Sequence, residues 1–484
     1  MISFHVSRLA LRRSLEEQNQ IMTAPAEDTP AVPPPKPRFG LSREERAKLL
    51  SRLKPAAGAV ARGRTAEEAS RPAIDPRFTR FADFPAYKQL RIEKNVAQSA
   101  GILNPFFQCH DGIAKAHTSI NGETFLNFST YDYLDLMGHP EIAQAATDAL
   151  ERWGTGASAS RLVSGERPPH RALEKVLASL YGTEDAMVYV SGHATNVSTI
   201  GKLFGPNDVI FHDSLSHNSI VLGAQSSGAR RISYPHNDCE ALRRLLLTHR
   251  ASAERCLIVT EGVFSMDGNI ADMPGLVALK KEFGAFLMVD EAHALGVLGK
   301  TGKGTAEHFG LQPGDIDITM GTLSKTCCTC GGYIAGSAEL IELLKFTSPG
   351  FVYSVGMSPV LAAASAKAIE IMLREPERVQ KLQHISHFFV QEAKRLGLDT
   401  GHAEGYAVVP IMLGSSLLAG KAATRLFRAK VNVMPIIYPV VEEGAARLRF
   451  FLSAAHTEET VRQALSIVAR EVQAARQDID AQVG

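Results

Sequence analysis

The chain predicts an α/β architecture: a large, mostly parallel sheet domain followed by a smaller C-terminal α+β domain. Three observations carry that reading. From Phe125 onward, short apolar runs alternate with stretches of helical spacing, the pattern of strands buried on both faces between helices. Those runs end in polar residues, and in such sheets ligands sit beyond the carboxyl ends of the strands. After an expected long helix over 361–373 the pattern shifts to strands and helices that suit a separate unit.

Taken in order, residues 1–21 are basic and partly amphipathic. Glu16 and Glu17 interrupt them, Met22 offers an alternative start, and no apolar core of secretory type is present. Residues 24–38 hold Pro25, Pro30, Pro33, Pro34, Pro35 and Pro37 and read as an extended linker. A short helix is expected over 41–53, capped by Ser42, with Leu49, Leu50 and Leu53 on one face. Residues 56–76 are loop-like. This divides the chain into an extension (1–80), a large cofactor-binding domain with an N-terminal arm (81–372) and a small domain (373–484).

Within the large domain Leu173, Val176, Leu177 and Leu180 keep helical spacing, and a strand follows over 186–190. Further strands are expected over 209–211, 256–260, 286–290 and 316–320. The small domain is expected to use 407–413, 431–437 and 447–452, closed in part by N-terminal residues.

The 484 residues are 45% hydrophobic with a net charge near +1, enough for a large core and no argument for nucleic acid or an acidic membrane surface. No apolar run is long enough to span a bilayer. The six cysteines form no disulfide framework, which fits a reducing compartment and a cytoplasmic protein. Cys327, Cys328 and Cys330 lack the paired spacing of a metal site, so no metal is expected and they read as packing thiols.

The chemistry centres on Lys325. It ends a hydroxyl-rich turn after the apolar run Ile318-Thr319-Met320, and Gly331-Gly332 leads into the next strand. A lysine held between buried strands is costly as an ammonium, and the same burial favours the neutral amine that adds to a carbonyl. Asp290 ends an apolar strand and suits a protonated pyridine nitrogen, which points to pyridoxal 5'-phosphate held as a Schiff base on Lys325. Ser191, Gly192 and His193 open a helix after a strand and offer amides and a hydroxyl to a phosphate, with Thr322 and Ser324 adding hydroxyls. His293, three residues past Asp290, and Ser265 are candidates for the ring oxygen, and His217 for the ring face. Arg447 and Arg449 share a strand face, where a guanidinium can take an amino-acid carboxylate.

These motifs together resemble the α-oxoamine synthases over about 105–472. The residues that carry the resemblance are Gly154-Thr155-Gly156-Ala157-Ser158-Ala159-Ser160-Arg161-Leu162-Val163-Ser164-Gly165, His236-Asn237-Asp238 and 260–268. Val289 to His293, Gly321 to Lys325, Arg447-Leu448-Arg449 and Ser453-Ala454-Ala455-His456-Thr457 complete it. The resemblance implies a fold-type I pyridoxal-phosphate transferase working as a homodimer with a shared active site. It implies Lys325 as Schiff-base lysine, Asp290 on the pyridine nitrogen, His217 on the ring, and His293 and Ser265 near its oxygen. Gly192, His193 and Thr322 would hold the phosphate, Ser354 would reach it from the other subunit, and Arg449 would take the substrate carboxylate. The implied reaction joins a small α-amino acid to an acyl thioester, on coenzyme A or an acyl carrier protein, with loss of carbon dioxide. Ser160 before Arg161, where glycine users carry threonine, leans towards alanine or serine. Asp132 and Asp135 depart from the family's Asn-Tyr-Leu-Gly-Leu, and the position of Asp132 usually touches substrate. His193 and 326–330 also depart. An aminotransferase reaction or a non-catalytic partner subunit is the alternative, and the presence of Lys325 argues against the latter.

Overall fold

The computed structural model describes residues 74–483. The expected linker over 24–38 and helix over 41–53 lie outside them. A boundary between Val96 and Ala97 separates two compact units. In the described part of the first unit, Asp75 caps a short 3-10 turn, Pro76–Thr79, by accepting from the Arg77 amide. A helix, Pro85–Ser99, follows and carries the chain across the boundary.

The unit from Ala97 onward contains three sheets. The largest has seven strands in the order β4 (Asp185–Tyr189), β10 (Gly332–Gly336), β9 (Ile318–Thr322), β8 (Phe286–Asp290), β7 (Cys256–Glu261), β5 (Val209–Asp213) and β6 (Arg230–Tyr234). Its interior strands are buried along their length, except for Phe286 at the start of β8. Two-faced burial is what their continuous apolar character demands. Strands β5 to β9 run parallel, whereas β10 returns antiparallel between β9 and β4. That single reversal follows from a short connection: the loop of Lys325 between β9 and β10 holds no helix to carry the chain back.

A second sheet joins β1 (His110–Asp111), β2 (His117–Ile120) and β3 (Glu123–Asn127) to β12 (Val431–Asn432). The third joins β11 (Val408–Gly414), β14 (Ala446–Phe451) and β13 (Met434–Ile436). The run expected as one strand over 431–437 is therefore two: β12 pairs with β3 and β13 with β14, the chain passing from one sheet to the other at Val433. The long helix expected over 361–373 spans Pro359–Arg374. One apolar core runs from Ile102 through Leu173, Val188 and Ile369 to Leu448 and Leu465, so it is continuous across residue 373.

Candidate active site

The site collects at the carboxyl ends of β7, β8 and β9. Asp290 ends β8 and is 4% exposed. Its Oδ2 accepts from Asn196 Nδ2 at 2.8 Å, and its Oδ1 accepts from the Ala292 amide at 2.9 Å. Asn196 lies one turn into the helix Gly192–Leu203, a position the sequence does not mark as chemical, and it aims the carboxylate. Glu261 ends the neighbouring strand in register with Asp290. Burial, reinforced by the Asp290 charge, pushes the Glu261 carboxyl up to about 8. Its Oε1 accepts the His217 main-chain amide at 2.6 Å, which ties exposed His217, at the start of the helix Asn218–Ser227, to the end of β7.

Lys325 sits in a loop braced by its own backbone. The Leu323 amide donates to the Gly331 carbonyl at 3.0 Å, the Cys328 amide to the Lys325 carbonyl at 2.8 Å, and Thr326 Oγ1 to the Leu295 carbonyl at 2.6 Å. Lys325 Nζ lies 5.8 Å from the centre of the Tyr131 ring. Burial pulls the amine below the ordinary lysine range, against the opposite pull of Asp290 and Glu261, and the Arg449 charge adds to the fall. A lysine tuned in this direction is a nucleophile and a base.

The expected phosphate end is equally compact. Ser191 caps the helix Gly192–Leu203, its Oγ accepting from the Ala194 amide at 3.1 Å. A methyl at Gly192 would stand 2.8 Å from Thr322 Oγ1, so glycine is required for β9 to approach the helix end this closely. Thr322 Oγ1 donates to the Gly331 carbonyl at 3.0 Å and lies 2.9 Å from Ser324 Oγ. His193 is exposed, its ring 6.5 Å from that of His217. A helix N-terminus with adjacent hydroxyls fits an anion.

Arg449 reaches the same space from β14. Its Nη1 donates to the Ser265 carbonyl at 3.1 Å and to Met266 Sδ at 3.2 Å, and its Nε is buried without a partner among the described residues. An orphaned guanidinium nitrogen is the mark of a position waiting for a carboxylate. Arg447 shares the strand face but not the availability: its Nη1 is spent on Asp267 at 2.7 Å and on the Met266 carbonyl at 3.0 Å. His293 is buried, with Nδ1 2.6 Å from Tyr133 Oη.

Three further expected positions are placed as follows. Asp132 does not offer a free carboxylate: Oδ1 accepts from the Leu136 amide at 2.7 Å and from Cys328 Sγ at 3.1 Å, and Oδ2 from the Met137 amide at 3.1 Å. It braces the turn in which Asp135 adopts a left-handed φ of 55°. Ser160 Oγ donates to the Val352 carbonyl at 2.7 Å. Ser354 follows the short helix Pro349–Val352 between exposed Tyr353 and Val355, and among the described residues no hydrogen bond ties it to the Lys325 group. The thiols diverge: Cys327 is buried, Cys328 is bound to Asp132, and Cys330 is exposed rather than packed inside.

The residues present fit pyridoxal phosphate: an amine of lowered basicity, a carboxylate held by an amide, an anion-receiving helix end and a guanidinium with one unpartnered nitrogen. Comparison with known proteins agrees. Residues 123–468 match the family model described as aminotransferase class I and II. The 8-amino-7-oxononanoate synthase of Geobacter sulfurreducens is 44% identical over 341 residues, 70% of this chain and 86% of that protein. That of Symbiobacterium thermophilum is 38% identical over 78% of this chain and 96% of its own length. Sphingomonas wittichii serine palmitoyltransferase superposes with a TM-score of 0.77 at 30% identity, covering 81% of this chain and 98% of that one. The chain belongs to the α-oxoamine synthases, pyridoxal-phosphate-dependent acyltransferases of the aminotransferase class I and II family that join an amino acid to an acyl thioester with loss of carbon dioxide.

Proposed function

We propose that this enzyme condenses a small α-amino acid, alanine or serine in preference to glycine, with an acyl thioester to give an α-amino ketone. The observation that carries the reading is the Nε of Arg449, unpartnered among the described residues, in the same site as half-buried Lys325, whose amine desolvation pulls below the ordinary lysine range. One group takes a carboxylate and the other moves a proton. Ser160 before Arg161 supports the choice of amino acid.

The bound cofactor supplies an electron sink for the charge left at the substrate Cα. The chain's residues do the rest. Asp290, oriented by Asn196, would hold a positive charge on the ring nitrogen. Arg449 binds the substrate carboxylate and fixes the orientation at Cα. Lys325 would remove the Cα proton, since desolvation favours its neutral amine. His217 would cover the ring face, and Ser191, Gly192, His193, Thr322 and Ser324 would hold the phosphate. Two copies pairing across Tyr353–Val355 would bring Ser354 to the partner's phosphate site, and the 87% exposure of Tyr353 supports a covered surface there. The six unpaired thiols suit a reducing, cytoplasmic setting.

The test is a titration of the purified holoenzyme with glycine, alanine and serine, followed visibly, then addition of acyl-coenzyme A with free thiol measured. A response to alanine or serine followed by thiol release is expected. A visible response with no thiol released from any thioester, on coenzyme A or on an acyl carrier protein, would overturn the condensation.

A further inference from the structure

The geometry points to Tyr133 as the residue that fixes the ring proton of His293 on Nε2, making His293 a hydrogen-bond donor towards the cofactor. This rests on the reading of His293 as a cofactor contact.

Tyr133 is 0% exposed, and its Oη lies 2.6 Å from His293 Nδ1. Among the described residues this is the phenol's one hydrogen bond. Two arrangements satisfy the distance. If Nδ1 carried the proton and donated, the phenolic proton would be buried without an acceptor. The charged neighbour on that side, Arg449, has only donors to offer. A buried orphan donor is costly, so the phenol donates, Nδ1 accepts, and the ring proton resides on Nε2. That nitrogen has no partner among the described residues and is free to face a ligand.

Neither group escapes through a change of charge. Burial, with the charges of Lys325 and Arg449, holds His293 well below the ordinary histidine range, so the ring is neutral. Burial holds the Tyr133 phenol well above its ordinary value, so it keeps its proton. The ring is also held sideways: Phe451 lies parallel at 6.3 Å, and Tyr131 meets it edge-on at 6.3 Å. Tyr133 is therefore a positioning residue, acting through His293. A protonated Nε2 cannot accept a proton, which leaves Cα deprotonation to Lys325.

Neutron diffraction from deuterated holoenzyme crystals reads the proton directly. The expected result is deuterium on His293 Nε2 and on Tyr133 Oη, the latter aimed at Nδ1. Deuterium on Nδ1 would overturn the inference. Tyr133→Phe supplies the functional readout: without the phenol nothing in the chain holds the proton on Nε2, and the donor towards the cofactor oxygen is weakened. The pH midpoint of the bound cofactor's visible band should then rise by about one unit. An unmoved midpoint in a variant that is merely less heat-stable would reduce Tyr133 to a packing residue and overturn its positioning role. Deuterium on Nε2 in a protein that never shows a cofactor band would instead support the tautomer and sink the site's reading.

Discussion

Among the described residues, two clusters of buried charge, around Glu174 and around Glu261, are wired in opposite ways. In one, Arg161, with 4% of its side chain exposed, is bound by Glu166 at 2.6 Å and by Glu174 at 2.6 Å. Glu174, fully buried, also takes Lys345 at 3.1 Å, Arg171 at 3.2 Å and the Val188 amide at 3.1 Å. Burial alone would raise Glu174, but Arg161 and Lys345 outweigh it and pull the carboxyl below its ordinary range. In the other cluster the charges are left short. Burial and Asp290 push Glu261 up to about 8, burial pulls Lys325 and Arg449 down, and Arg449 Nε has no partner. The first cluster spends its charges on holding the loop over 154–165. The second keeps them unspent, and the proposed reaction uses what the fold leaves over.

Lys325→Ala should break the second cluster most severely. Turnover should fall by at least about 10⁴-fold, as expected when nucleophile and base are lost together. Mass spectrometry after borohydride treatment should find no cofactor linked to the chain, and retained turnover would refute the role of Lys325.

Glu174→Gln attacks the first cluster. Arg161 and Lys345 would then face a neutral amide, at a cost of about 3 kcal/mol. Because the folded pKa of Glu174 is depressed, the wild-type advantage is present above the ordinary glutamate value and is lost as pH falls through the folded one. Chemical denaturation at pH 7 and in acid checks both parts.

Arg449→Lys should raise the amino-acid KM about tenfold or more with a smaller change in kcat, since a point charge replaces a fork. Steady-state kinetics with saturating thioester reads this; a change confined to kcat would count against carboxylate binding.

Glu261→Gln tests the raised carboxyl. Its folded pKa of about 8 exceeds the ordinary 4.5, so cofactor-free protein should lose stability as pH rises between those values. The slope is about 1.4 kcal/mol per pH unit, and the variant should flatten it. Melting curves of both proteins across that window are the check.

The smallest effect belongs to Asp135→Gly. Relief of a left-handed φ of 55° is set against loss of a half-buried pair with Lys115 at 2.9 Å. A shift of less than about 1 kcal/mol in the denaturation midpoint is expected.

Much of the site is legible in the linear sequence. Asp290, Lys325 and the Ser191-Gly192 turn stand where a buried strand gives way to polar residues, and that junction shows in the pattern of residue types. Tyr133 and Asn196 are not legible in these roles: a tyrosine in a core and an asparagine in a helix carry no local mark. Asp132 misleads for the same reason, because its partners include the amides of Leu136 and Met137, whose direction depends on a left-handed turn. The split of 431–437 between two sheets is equally hidden, since β3 and β14 lie far off along the chain.

By itself, then, the sequence determined which residues are apolar, where strands end, and which chemical groups stand at those ends, because strand burial and turn chemistry are local. Only the tertiary structure decided which of those groups are paired and which are left free. Arg447 and Arg449 are two residues apart on one strand face, yet one is consumed by Asp267 and the other keeps a bare nitrogen. That difference comes from the neighbouring loop over 265–267. Hydrogen bonds between distant segments depend on ångström-scale position, which no spacing along the chain encodes.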